Sequence, residues 1–263
     1  PELLFVGSEY GVHFTVDGGK SWESIKNDMA TVAIHDLVIH PREGDLVAGT
    51  HGRSLWIMDD ISALRQLGEV GEASLHAFKP QQATRWVSVN TGRKQPAFMF
   101  KGENPKSGAK LHYYLNEAAE VSIVVEDISG KHRYMASETG HTGINRVIWP
   151  LYFMPNEEEV TAFKANLTKA IATLRERVDH RDLIRLLDKA EKDLAEATGT
   201  RQLNAARRIL VDNFNAYAGG RLIFGTKIGR VSAEPGDYKV IITANGESST
   251  SYFKVREDPL VKE

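Results

Sequence analysis

Residues 14–23, FTVDGGKSWE, crowd an aspartate, two glycines, a serine and a tryptophan into one short run. Such a mixture suits a cation loop, a catalytic elbow or a tight turn. The turn accounts for the most residues. An Asp at the head of a turn accepts hydrogen bonds from the N–H groups that follow it, and glycine supplies positive φ. On this reading Thr15, Asp17, Gly19, Ser21 and Trp22 are structural, with Ser21 bonding locally and Trp22 plugging between neighbouring strands. A calcium ion at Asp17 is compatible with the turn but is not required by it. A second run, GTHGRS at 49–54, has the outline of a phosphate cradle but lacks the Lys and the following helix that such a loop needs. It reads as a turn between strands, with His51 and Arg53 as candidate binding residues on its rim.

The nine histidines raise a metal site, which requires three or four converging ligands. His35 and His40 stand five apart on one expected strand and so point to opposite faces. His51, one turn later, can approach either, but no third ligand is spaced to join them, so no metal is expected. Asp59 and Asp60 lack the later oxygen ligands and the glycine of a calcium loop, and are expected to cap a short helix over ISALRQL. A nucleophile elbow and a phosphate-binding loop are absent. Arg42, Arg53, Arg65 and Arg85 are not spaced to clamp one carboxylate. No catalytic residue and no cofactor are therefore assigned.

Bulk composition sets further bounds. The 263 residues are 41% apolar and 26% charged, with a formal net charge of −2, which gives no electrostatic basis for binding nucleic acid. No apolar run approaches the roughly 20 residues that span a bilayer. Cysteine is absent, which removes disulfides, thiolate zinc sites and thiol nucleophiles. The chain opens without Met in strand-like sequence, so it is expected to be a portion or a cleavage product of a longer polypeptide.

The elements that must position these residues show an internal repeat. LFVGSEYGVHFTVD (4–17) aligns with LVAGTHGRSLWIMD (46–59) at an offset of 42 residues. Gly7 matches Gly49, Ser8 matches Thr50, Phe14 matches Trp56 and Asp17 matches Asp59. Short strands repeating at such a period are the mark of β-propeller blades, and the nearly continuous apolar run AIHDLVIHP between the copies suits a buried inner strand. The run Thr15, Asp17, Gly19, Ser21, Trp22 resembles the Asp box of the BNR repeats found in sialidases and sortilin-type propellers. GTHGRSLWIMDDISALRQL is similar to the closing segment of bacterial sortilin-like proteins. The resemblance implies a structural Asp-box turn away from any active site, Trp56 in the blade core, and a location outside the cytoplasm. About 60 residues cannot close a propeller of four or more blades, so the remainder is expected in the same or another chain.

Past the repeat, the expected organisation is an end of a propeller over 1–62, an exit linker over 63–80, and an Ig-like β-sandwich over 81–155 and 220–263. A helical insertion of two or three helices over 156–219 interrupts the sandwich. Strand candidates separated by Gly, Asn, Pro and Ser clusters carry the sandwich, with a hairpin around Ser129, Gly130 and Lys131. GINRVIWPL together with PGDYKVIIT resembles the last strands of fibronectin-type or FlgD-like Ig domains, which implies Trp149 and Tyr238 as core anchors. Between Asn156 and Tyr217 there is one glycine and no proline. Val160, Phe163, Leu167, Ile171, Leu174 and Val178 form one helical stripe, with Asn156 as N-cap and three acids in the first turn. Second and third helices follow after Asp179-His180 and up to Gly219-Gly220. Eleven basic and eleven acidic side chains balance over this segment, which excludes a nucleic-acid stripe and leaves self-packing or a protein partner.

The fold class expected is thus mainly β with a helical insert. The function expected is a non-catalytic protein- or glycan-binding or assembly portion of a larger secreted or periplasmic propeller protein. The alternatives are an accessory domain of a glycoside hydrolase whose active site lies on other blades, and a peptide-binding propeller of the sortilin kind.

Overall fold

The computed structural model describes residues 2–25, 28–87, 106–217 and 224–260. The chain is mainly β, with several sheets and four α-helices among the described residues. It divides into two compact units. The first comprises residues 1–130, 134–151 and 233–263, and the second comprises 131–133 and 152–232.

The first unit begins with two three-stranded antiparallel sheets. One is β1 (Leu4–Ser8), β2 (Gly11–Thr15) and β3 (Glu23–Ile25); the other is β4 (Ile34–Ile39), β5 (Leu46–Thr50) and β6 (Leu55–Met58). Alternation assigns their faces. Phe5 lies opposite Phe14, and Val12 opposite Ile25, so these side chains share one face. In the second sheet Leu46 lies opposite Met58, and Ala48 opposite Trp56. These two faces form one apolar cluster around buried Val12, Leu46 and Ala48, closed from below by Ile61 and Leu64. A Cβ at Gly7 would stand 2.7 Å from Ile34 Cγ2, so glycine is what lets β1 approach β4. Trp56, expected in the core, is half-buried against this cluster. β4, expected as a buried inner strand, has no fully buried residue, and its pairing with β5 shifts register between Ile34 and Asp36.

The chain leaves β6 through Asp59 and Asp60 into α1 (Ser62–Arg65) and a 3-10 turn, then enters β7 (Leu75–Ala77) and β8 (Ala83–Arg85). The segment expected to be an exit linker therefore contributes a strand: β7 pairs with β9 (Ala109–Leu115), whose other neighbour is β12 (Gly143–Trp149). A five-stranded sheet runs β11-β10-β15-β16-β8. Its further members are β10 (Ala119–Asp127), β11 (Arg133–Gly140), β15 (Gly236–Ala244) and β16 (Glu247–Glu257). All its strands are antiparallel to their partners in the described registers except β8, which runs parallel to β16. Val121, Ile123 and Val125 from β10 and Val240 and Ile242 from β15 are buried on one face. Trp149 of β12 is fully buried, its ring 5.0 Å from Tyr238 of β15 and 5.9 Å from Phe253 of β16. The Tyr238 hydroxyl donates to the Glu234 carbonyl at 2.5 Å, which satisfies the polar end of a buried aromatic side chain.

The second unit contains a strand pair, β13 (Tyr152–Phe153) with β14 (Val231–Ser232), and three helices. These are α2 (Glu157–Arg175), α3 (Arg181–Glu196) and α4 (Thr200–Phe214). Asn156 caps α2 by accepting from the Glu159 N–H at 2.8 Å, and Glu159 accepts the Asn156 N–H at 3.0 Å, a reciprocal capping box. Leu167, Ile171 and Leu174 from α2, Leu187 and Leu194 from α3, and Leu210 and Phe214 from α4 are buried in one cluster. Arg207 of α4 donates to the carbonyls of Phe224 and Gly225, fastening the following segment to the helix. The expected Gly219-Gly220 helix stop lies outside the described residues.

Candidate binding surfaces

The Asp box forms a closed turn between β2 and β3. Asp17 Oδ1 accepts the Lys20 N–H at 2.8 Å, the Ser21 N–H at 3.0 Å and the Thr15 hydroxyl at 2.6 Å; Oδ2 accepts the Ser21 hydroxyl at 2.6 Å. Gly18 and Gly19 take φ of 74° and 98°, the left-handed region where glycine carries no steric cost. Hydrogen bonds from Ser21 and then Thr15 hold the Asp17 carboxyl well below the usual carboxylate range. Both carboxylate oxygens of Asp17 thus accept donors of the turn itself. Trp22, expected to plug between strands, is 44% exposed and lies over Gly19.

His51 and Arg53 lie in the β5–β6 turn, shaped by Gly52 at φ 74° and Ser54 at φ 65°. The Thr50 hydroxyl donates to the Ser54 carbonyl at 2.6 Å, and Trp56 Nε1 donates to the Arg53 carbonyl at 3.2 Å. The His51 ring stands 4.9 Å from His35, and both His51 and Arg53 are exposed. His40 falls after β4 and uses Nδ1 to accept the Glu43 N–H. No group of three or more metal-ligating side chains converges among the described residues.

The outward face of β4-β5-β6 was not anticipated as a surface. Val38, Val47 and Ile57 are directly opposite one another across the three strands, and Leu55 follows opposite Gly49. Val38 is 53%, Ile57 60% and Leu55 66% exposed. Apart from the exposed Asp36 opposite Gly49, the sheet is therefore apolar on both faces, and among the described residues only the inner one is covered. Sheets covered on one side alternate apolar and polar residues, whereas near-continuous apolar strands go with cover on both sides. Beside this sheet a cavity of about 230 Å³ is lined by Ile25, Met29, Trp56 and Met58 among others.

A polar cluster gathers where β6 exits and β9 passes. Asp60 is buried at φ 58°. Its N–H donates to Asp45 Oδ1 at 2.9 Å, and its Oδ1 accepts the Ser62 N–H at 3.0 Å and Gln81 Nε2 at 2.8 Å. Asp60 thus bonds the start of α1, as its sequence position suggests, but the helix N-cap is Ile61 and has no side-chain cap. Lys110 lies 3.6 Å from Asp45, and Arg146 lies 3.9 Å from Asp59. His112, directly opposite Arg146 in the ladder, has its Nδ1 3.8 Å from Asp60 Oδ2, too far for a hydrogen bond. Burial pushes the His112 imidazole below its ordinary value, so it is neutral at pH 7; the Asp60 carboxylate opposes that shift. Comparison of the chain with protein-family models, curated proteins and solved structures finds no match.

The Ser8 hydroxyl and His13 Nε2 pair at 3.1 Å in the β1–β2 hairpin, and beyond that pair the arrangement is one of surfaces. What it offers is contact: an uncovered apolar sheet face, an exposed His51–Arg53 turn, and a polar cluster with one unsatisfied imidazole.

Proposed function

We propose that the chain is a non-catalytic binding and assembly portion of a larger Asp-box propeller protein that acts outside the cytoplasm. The observation that carries the reading is the row Val38, Val47 and Ile57 on the uncovered face of β4-β5-β6. Apolar residues on both faces of a three-stranded sheet call for a second layer, and stacked blades supply one. The internal repeat supports the same view. Its alignment equates β1 with β5 and β2 with β6. One sheet continues past β2 to β3, whereas β6 has only β5 beside it among the described residues; the other sheet starts with β4, which has no counterpart beside β1. Each sheet so lacks one strand that its repeat possesses, and a complete unit has four. Under this reading β10, β15 and β16 with β9 and β12 form an Ig-like sandwich, and α2 to α4 form an insertion into it.

The test is self-association and dye binding by the isolated chain. Sedimentation should show concentration-dependent association, and an anilinonaphthalene dye should fluoresce on the open sheet. Val38→Lys with Ile57→Lys should suppress both while leaving the circular dichroism spectrum unchanged. A wild-type chain that stays monomeric and dark with dye at the highest attainable concentration overturns the reading.

A further inference from the structure

A second site lies on the rim of β4 and β5. The pairing of these strands passes from Ile34 opposite Thr50 to Asp36 opposite Gly49, so His35 is an extra residue with no partner across the ladder. An extra residue of this kind bends its strand and re-aims a side chain. Here it brings two imidazoles together: the His35 and His51 ring centres are 4.9 Å apart, with their planes tilted by 41°. His51 is anchored by its own backbone. Its N–H donates to the Ala33 carbonyl at 2.9 Å, which ties the β5–β6 turn to the start of β4. In the same turn Ser54 takes φ of 65°, a left-handed conformation that costs a residue with a side chain, and its carbonyl accepts the Thr50 hydroxyl. Both rings are exposed. His40 uses Nδ1 to accept the Glu43 N–H, but neither His35 nor His51 has a ring hydrogen bond among the described residues.

The separation of the rings matches a shared ion. With metal–nitrogen bonds of about 2.0–2.1 Å, two imidazoles on one ion have ring centres about 4.5–5.2 Å apart for right-angled to tetrahedral ligand angles. The backbone thus spaces the two rings already, and turning the exposed side chains suffices to aim one nitrogen of each at a common point. We propose that His35 and His51 bind one late first-row divalent cation, of the class of Zn²⁺, Cu²⁺ and Ni²⁺, and leave its other positions open. Imidazole nitrogen suits these ions, whereas Mg²⁺ and Ca²⁺ take oxygen ligands. Two ligands fall short of the three or four of a closed site, and no larger group converges among the described residues. The remaining positions therefore hold water, which a donor atom of a molecule bound at this rim can displace.

The test uses the metal alone with the whole chain at neutral pH, and follows the nine histidine rings by long-range nitrogen–proton NMR. Zinc chloride should shift the His35 and His51 resonances together and saturably, before those of the other histidines move. Magnesium chloride should shift neither. His35→Asn and His51→Asn each replace an exposed ring, and circular dichroism should show the fold unchanged in both. Loss of even an outer partner of a metal ligand costs about 10–100-fold in affinity, so removal of a ligand itself should weaken zinc by at least about tenfold. The histidine left behind should then respond no more strongly than the other surface histidines. A His51 resonance that zinc moves equally in the wild type and in His35→Asn would overturn the proposal. So would a pair of rings that responds no earlier than the other histidines, or that zinc does not move.

Discussion

The Ser21 hydroxyl donates to Asp17 Oδ2 at 2.6 Å while the Ser21 N–H donates to Oδ1 of the same carboxylate at 3.0 Å. One residue therefore grips both oxygens, and the turn between β2 and β3 depends on the ionised form. The carboxyl is held below its ordinary value of 3.8. A depressed acid stabilises the folded state above the unfolded pKa, and that contribution is lost as pH falls below about 4 toward the folded value. Asp17→Ala should lower the melting temperature at neutral pH and flatten its decline in acid. Melting curves at several acidic pH values check this; parallel curves for the variant and the wild type would contradict it.

Trp149 joins two sheets, since its ring meets Tyr238 of one neighbouring strand and Phe253 of the next. Trp149→Ala should cost roughly 3–5 kcal/mol, the usual range for truncating a buried large aromatic. Tyr238→Phe keeps the ring but strands the Glu234 carbonyl, and should cost about 1 kcal/mol. Denaturant titration of both variants measures the two values, and a Trp149→Ala protein as stable as the wild type would remove Trp149 from the core.

How much of this was legible in the chain depends on distance along it. The Asp-box turn closes within residues 15–21, so its chemistry could be read from residue types alone. Helices were legible for the same reason: Asn156 and Glu159 are three apart, and the buried stripe of α2 repeats within one element. His112 and Asp60 are separated by about 50 residues, and nothing in the run KLHYYL (110–115) marks the His as one whose Nδ1 would lack a partner. The outward row Val38, Val47 and Ile57 was equally hidden. Each residue looks like core in its own strand, and only the register between strands places all three on the uncovered side. Trp22 was misjudged because aromatic character was equated with burial, and a residue at the end of a turn can lie across it instead.

The helical unit should be dispensable for the β core. Its buried cluster runs from Leu167 to Ile228 and, among the described residues, draws on no strand of the first unit. Replacing residues 157–217 by a short Gly/Ser bridge should leave the near-ultraviolet signal of Trp149 in place while removing most of the helical circular dichroism. Loss of the Trp149 signal would show that the sheets require the helices.

His112 gives a second, separate acid response. Its folded pKa lies below the unfolded value of 6.5, so the unfolded state binds the proton more readily. Stability should therefore be complete above about pH 6.5 and fall as the solution is acidified below it. Lys110 and Arg146 add to that fall by repelling a protonated ring, and Asp60 opposes it. His112→Phe removes the titrating group and should abolish the slope in this window. A slope unchanged in the variant would assign it to another histidine.

Gly108 should be the least replaceable glycine near the core. Its φ is 145°, and a Cβ there would stand 2.3 Å from the Trp149 carbonyl oxygen. That oxygen belongs to backbone in the β9–β12 ladder and has no side-chain rotamer through which to retreat. Gly130, in the turn after β10, also has positive φ at 70°, but nothing lies within 4 Å of where its Cβ would be. Gly130→Ala should thus cost only the conformational penalty, about 1 kcal/mol. Gly108→Ala carries a similar or larger backbone penalty, roughly 1–3 kcal/mol, and must also push β9 from β12. The difference between the two variants in denaturant midpoint measures the clash together with any larger φ penalty at Gly108. Equal midpoints would mean that the β9 entry yields to accommodate the methyl group.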